Sequence, residues 1–160
     1  RVAMIGSEYQ SYHESNAVTS VGERLEFWRK SVKFVSEAPL VGHGTGSTKT
    51  LFAQDAVGQT GASAQIIGNP HNQTLNVAVQ WGLIGCVVLY AMWVAHLRLF
   101  TGAGLAAWVG LVAVVENFVS SLLNSHLFDF HEGWIYVLAV GVAGGMVARV
   151  SRTENSAGQA

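Results

Sequence analysis

The chain has 160 residues, of which 50% are apolar and only 12% are charged. Soluble domains carry about 25% charged residues, so this composition argues against a soluble enzyme. The net charge of −1 argues against a nucleic-acid partner, and a single cysteine, Cys86, excludes a disulfide framework and a cysteine-based zinc site. Because the first residue is Arg1, we expect the chain to be part of a longer protein.

The first 55 residues have the charge density of a soluble segment. The N-terminal region, residues 1–73, is predicted to contain an amphipathic helix over residues 21–38. Ser20 and Glu23 have the spacing of a capping box, apolar residues then recur at helical spacing, and Pro39 ends the pattern. Three basic side chains fall on other faces of this helix and are expected to be solvated: Arg29, Lys30 and Lys33.

A glycine-rich turn follows at residues 39–46. Its backbone amides suit a phosphate cradle, but the pattern fits a plain turn equally well. It is not a Walker loop, because Thr48 stands where that motif requires glycine. Residues 54–68, which are rich in Gly, Ala, Ser and Gln, predict a flexible loop.

Three later segments are apolar enough to cross a bilayer: residues 74–97, 105–123 and 133–150. A helical hairpin buried in a soluble protein would need a much larger core than this chain supplies. Trp81 and Trp93, near the ends of the first segment, are expected to be interfacial anchors.

Basic residues in short connections set the predicted orientation. Arg98 links the first two spans, and Arg149 and Arg152 follow the third, so these positions and the tail at residues 151–160 are assigned to the cytoplasm. Residues 1–73 then lie on the opposite, external or periplasmic face. The predicted fold class is an all-α integral membrane protein, with about three transmembrane helices packed as a bundle over residues 74–150 plus an extracytoplasmic loop region.

Few side chains are candidates for chemistry. His71, at the start of the first span, has the properties of a general base, and Asn72 is placed to orient it or to bind substrate, although a histidine at a helix start is more often a cap or an interfacial residue. Glu116 lies inside the second span and is expected to face the bundle or a wet cavity. Four polar residues of the last external connection are expected to be ordinary loop residues rather than metal ligands: His126, Asp129, His131 and Glu132.

The motif that begins at the candidate base is His71-Asn72, nine residues, Gly82, two residues, Gly85. It resembles, without a gap, the histidine motif of the O-antigen ligase family, a superfamily that also includes O-antigen polymerases and some bacterial protein O-oligosaccharyltransferases. Further matching residues lie upstream: Gly22, Arg24, Trp28 and the turn 39–44. The run at residues 124–133 also matches.

The resemblance implies the C-terminal part of a polytopic transferase of the bacterial inner membrane. Its donor would be a glycan on undecaprenyl diphosphate and its acceptor a sugar hydroxyl of lipid A–core. The matching positions imply that His71 is the general base, that Arg24 binds the diphosphate and that Asn72 contacts substrate, with no cofactor and no metal. Two alternatives stay open: a polymerase of the same superfamily, and a non-catalytic transport or structural subunit in which His71 is only a cap.

Overall fold

The computed structural model describes residues 2–157, with side chains described over residues 4–150. Within that range the chain is helical and contains no strand. It divides into two compact units, Arg1–Val87 and Val88–Ala160. The helices are α1 (Val2–Ser15), α2 (Ser20–Glu37), α3 (Ser47–Asp55), α4 (Gln73–Leu99), α5 (Leu105–Ser120) and α6 (Phe130–Ala157), with short 3₁₀ turns at Gly61–Ala64 and His126–Phe128.

The core of the first unit lies between α2, α3 and the beginning of α4. Phe27 and Phe34 of α2 pack edge-on against Phe52 of α3, with ring centroids 6.0 and 5.3 Å apart, and Val79 of α4 completes the cluster.

The helix predicted over residues 21–38 is confirmed within a residue at each end, since α2 spans Ser20–Glu37. Its cap is Thr19 instead of Ser20, because the Thr19 hydroxyl accepts the N–H of Gly22.

Helix α4 is broken at Gly82, whose φ of 61° and ψ of −155° lie outside the helical region. The break separates backbone groups from their helical partners, and the turn at residues 39–46 supplies replacements. Four hydrogen bonds of 2.8–3.2 Å join the two segments: His43 N to Val79 O, Gly44 N to Gln80 O, Leu83 N to Pro39 O and Ile84 N to Leu40 O.

Glycine is required both in the turn at residues 39–46 and in α4, where the two segments meet. Gly42 and Gly82 have positive φ values of 67° and 61°, which L side chains rarely adopt. A Cβ atom at Gly42 would overlap the backbone of Gln80, and one at Gly82 would overlap the backbone of Leu40. The two backbones are therefore closer than any residue with a side chain would allow.

The part of α4 before the break has a buried polar face. Gln73, Asn76 and Gln80 are at most 5% exposed. The side-chain oxygen of Asn76 accepts hydrogen bonds from Thr48 and from Gln80, at 3.2 and 3.0 Å. Gln80 in turn accepts the N–H of Gly46, the residue before α3, at 2.7 Å. Since buried polar groups need partners, this face is built to contact protein.

The second unit contains the end of α4 together with α5 and α6. Trp93 is buried, and its indole N–H donates to the side-chain oxygen of Asn117 at 3.1 Å, so the prediction that Trp93 is an interfacial anchor is wrong. His96 Nδ1 lies 2.7 Å from the hydroxyl of Tyr136. Polar side chains thus link helices that are otherwise apolar, as is common in membrane bundles.

Two of the three predicted spans have helices long enough to cross a membrane. Gln73–Leu99 and Phe130–Val150 meet the length and hydropathy requirements, whereas α5 has only 16 residues and ends at Ser120, short of the predicted 123. α6 extends to Ala157, so the predicted tail at residues 151–160 begins inside a helix, and its last three residues lie outside the described range.

The region predicted as a flexible loop is partly ordered in helical form. α3 extends to Asp55, and a 3₁₀ turn follows at Gly61–Ala64. Neither α1 nor α3 is predicted from the sequence. For α3 the reason is that it has only nine residues and weak apolar periodicity.

We expect Gly82→Ala to lower the thermal stability of the protein, because the variant needs a left-handed backbone at a non-glycine residue, which costs about 1–3 kcal/mol, and overlaps the backbone of Leu40. Gly141→Ala is the matched control, since a Cβ atom at Gly141 meets nothing within 4 Å. The measurement is the unfolding temperature in detergent. Equal unfolding temperatures for the two variants would contradict the account of the break.

Candidate functional site

His71 occupies a strained turn immediately before α4. Its φ is 54°, in the left-handed region that non-glycine residues seldom adopt. The side-chain oxygen of Asn69 accepts the His71 backbone N–H at 2.9 Å, which is the bond of an Asx turn. Asn72 caps α4: its side-chain oxygen accepts the N–H of Leu75 at 2.9 Å. The backbone of His71 is thus fixed by a side chain before it and a helix cap after it.

The turn packs against α2. The His71 side chain is half-buried, and its ring lies 6.3 Å from the ring of Phe27, inclined by 31°. The indole N–H of Trp28 donates to the carbonyl of Pro70 at 3.1 Å. Phe27 and Trp28 are consecutive in α2, and they contact His71 and Pro70, which are consecutive in the turn.

Arg24 lies on the same helix, one turn before Phe27 and Trp28. Residues three and four apart on a helix are neighbours on its surface, so Arg24 borders the face that contacts the His71 turn. Its side chain is exposed. Among the described residues, its guanidinium has no hydrogen-bond or ion-pair partner.

Arg29 has a different environment. Its guanidinium donates two hydrogen bonds to the carboxylate of Glu26, at 2.8 and 2.6 Å, and Glu26 also accepts the hydroxyl of Tyr12 at 2.7 Å. These bonds, those to Arg29 above all, lower the pKa of Glu26 to about 2 and raise the pKa of Arg29. Burial and the bond to Glu26 raise the pKa of Tyr12.

Lys30 is buried, so the prediction that it is solvated is wrong. It contacts Asp55 of α3 at 2.8 Å and donates to the carbonyl of Ser63 at 2.5 Å. Lys33 binds the other oxygen of Asp55 at 2.6 Å. The hydrogen bonds from Lys30 and then Lys33 lower the pKa of Asp55. Of the cations of α2, Arg29, Lys30 and Lys33 are thus used within the fold.

The structure does not support a phosphate cradle at residues 39–46. The amides of His43 and Gly44 donate to carbonyls of α4, and that of Gly46 donates to Gln80. Those three donors are occupied by the fold itself. The pattern alone gave no sign of this, because the acceptors lie more than 30 residues away in the sequence.

The polar residues of the second unit form a separate group. His126, Asp129 and Glu132 bring one ligand atom each within 4.8 Å of one another, and Asn124 donates to Asp129 at 3.1 Å. Glu116 is exposed and, with His126 and Glu132, lines a cavity of about 410 Å³. Of the two expected positions, facing the bundle or a wet cavity, Glu116 lies at the edge of a cavity.

Sequence reasoning missed Glu26 and Tyr12. The spacing of Glu26 and Arg29, three residues apart on a helix, was an available signal for their ion pair. Nothing in the sequence placed Tyr12 beside them, because it belongs to another helix.

Comparison with known proteins gives two findings. The family model described as O-antigen ligase matches residues 2–90, more than half of the chain. A protein of Haemophilus influenzae, named only as uncharacterized, is 34% identical over 85 residues, which is 52% of this chain. That alignment spans 21% of the relative, so the matched part of the chain covers about one fifth of the relative's length.

The depressed pKa of Glu26 gives a pH-dependent stability. A carboxylate whose pKa falls from 4.5 to about 2 on folding stabilises the folded state above pH 4.5, and this stabilisation is lost as the pH falls towards 2. We expect Glu26→Gln to lower the free energy of unfolding by about 1–3 kcal/mol at neutral pH, and the difference from the parent protein to shrink below pH 4.5. Unfolding measured across this pH range tests it, with Glu37→Gln, at an exposed carboxylate of α2, as control. A pH-independent difference would contradict the assignment.

Proposed function

The chain belongs to the O-antigen ligase family, and on that premise we propose that it is part of a membrane glycan transferase. The donor is a polysaccharide carried on undecaprenyl diphosphate, and the acceptor is a sugar hydroxyl of lipid A–core. The observation that supports this most directly is the docking of the His71 turn on α2, next to the position of Arg24. The imidazole of His71 and the segment of α2 that carries Arg24 thus lie in one region of the first unit, which supports the roles proposed for them.

His71 acts as the general base. A neutral imidazole accepts a proton from the acceptor hydroxyl as the hydroxyl oxygen forms its bond to the anomeric carbon of the donor sugar. The bond from that carbon to the diphosphate breaks, and the electron pair leaves with undecaprenyl diphosphate. The fixed left-handed turn supports this role, because a base contributes most when its position is set before substrate binds.

Arg24 binds the diphosphate and stabilises the charge that grows on it as it leaves. A guanidinium presents a planar set of donors that matches phosphate oxygens and stays charged at every relevant pH. Arg24 suits this role better than Arg29, because Glu26 occupies two donors of Arg29 and offsets its charge. Asn72 contributes to substrate binding through its place beside His71, in addition to its cap on α4.

The same proposal sets the membrane and the orientation in which the protein lies. The first unit lies on the periplasmic face of the bacterial inner membrane, and the C-terminus lies in the cytoplasm, as the positions of Arg98 and Arg149 indicate. The lipid-linked donor and acceptor both reach the site from the bilayer. Since the matched relative is much longer, the remainder of the active site comes from other parts of the full-length protein.

We expect His71→Ala to reduce glycan transfer by about 10²–10⁴-fold, because the acceptor hydroxyl loses its base, while the protein still inserts into the membrane. The measurement is the amount of polysaccharide attached to lipid A–core in cells that contain the full-length variant. His13→Ala, at an exposed histidine of the same unit, is the control.

Two results would count against this assignment. Normal transfer by His71→Ala would remove His71 from catalysis and favour a structural subunit. A product that is a lengthened carrier-linked glycan, lost in His71→Ala, would favour a polymerase.

Arg24→Lys is expected to lower the rate of transfer roughly 10–100-fold, because a lysine keeps the charge but not the paired donors. Arg29→Lys is the matched variant on the same helix, and we expect it to alter stability through Glu26 with little effect on the rate. Transfer rates and unfolding temperatures of both full-length variants give the comparison. If Arg29→Lys impairs transfer more than Arg24→Lys does, the diphosphate ligand has been assigned to the wrong arginine.

A further inference from the structure

A group of exposed apolar side chains of the first unit lies at the break in α4. Before Gly82, residues 76–80 of the helix are buried, including two polar side chains. Immediately after it, Leu83, Ile84 and Val87 are 58–60% exposed. The helix therefore changes at Gly82 from a segment covered by protein to one with an uncovered apolar surface.

The turn at residues 39–46 presents similar side chains at the same level. Leu40 and Val41 are 62% and 67% exposed. They are tied to the exposed stretch of α4 by the bonds from Leu83 N to Pro39 O and from Ile84 N to Leu40 O. The two exposed pairs, Leu40–Val41 and Leu83–Ile84, thus form one patch, here called the apolar collar.

The surroundings of the collar suit a lipid environment. No charged residue occurs between Glu37 and Lys49, and the one histidine of the turn, His43, has its Nε2 atom 2.7 Å from the carbonyl of Phe34. The indole N–H of Trp81 donates to the hydroxyl of Thr45 at 2.9 Å while the ring is partly exposed. An exposed tryptophan beside an uncharged apolar patch is typical of a membrane interface.

We propose that the apolar collar inserts into the bilayer and that Gly82 marks where α4 enters the hydrocarbon. The partner is the acyl chains of lipids at the membrane interface. Continuity with the membrane-spanning helix argues for lipid as the occupant, because Leu83 and Ile84 are the first residues of the segment that extends to Leu99. That segment has 17 residues and is about 25 Å long, close to the roughly 30 Å of a bilayer core.

The collar gives the first unit a second attachment to the membrane beside the helix itself. A single span leaves an attached domain free to tilt, whereas a loop bonded to the helix backbone and inserted next to it restrains that motion. This inference rests on the span and the exposed side chains, and it does not depend on the transferase activity.

Depth-dependent quenching tests the proposal. In a background without Cys86 or any other native cysteine, the full-length protein with Val41→Cys is labelled with an environment-sensitive fluorophore. It is then placed in nanodiscs of phosphatidylcholine brominated near the headgroup end of the acyl chains. Leu40→Cys gives an independent reading in case Val41→Cys does not fold. Val57→Cys is the matched control, since Val57 is a valine of the same unit that is 79% exposed and belongs neither to the turn at residues 39–46 nor to α4.

We expect several-fold stronger quenching at positions 40 and 41 than at position 57. Quenching at these positions no stronger than at Val57 would overturn the proposal, because the collar would then lie in water or under another part of the protein. Glycan transfer by the same labelled proteins, measured in parallel, tests the proposed function separately, so that either can fail alone.

Discussion

The break in α4 at Gly82 is the constraint on which the first unit depends. A helix that is interrupted must find partners for the carbonyl and amide groups it exposes, and here four bonds to residues 39–46 provide them. Those bonds fix the chain just after α2, while Trp28 fixes α2 to the turn just before α4. α2 is thus held to α4 near its middle, at Trp28, and just beyond its C-terminal end, and this double attachment fixes the His71 turn against α2.

Within this frame, one buried carboxylate distinguishes two arginines of the same helix. Glu26 is 1% exposed, and a buried carboxylate needs a partner of opposite charge. Arg29 satisfies that need, so its charge is offset inside the protein, while Arg24 keeps its charge available to a ligand. The same residue type therefore has a structural role at one position and a candidate binding role five residues earlier.

The sequence predicted α2 and the apolar segments well, because their signals are local: helical spacing, a proline stop and long runs without charge. It did not predict the break, because Gly82 inside an apolar run looks like any glycine in a membrane helix. The need for glycine arises only when the backbone of Leu40 approaches from 42 residues away. Lys30 was misjudged for the same reason, since its partner Asp55 belongs to another helix.

The histidine motif connects His71, the candidate base, with the break at Gly82 through a single stretch of α4. Gly82 lies ten positions after Asn72, about 15 Å along the axis. A Cβ atom at Gly85 would lie 2.5 Å from Cβ of Trp81 and 3.0 Å from Cγ1 of Val77, so the second glycine also protects the packing of that stretch. Under the proposed function, these two glycines act on transfer only through the stability and position of the helix that follows His71. The His71 side chain is the member of the motif whose replacement tests the proposed chemistry apart from folding.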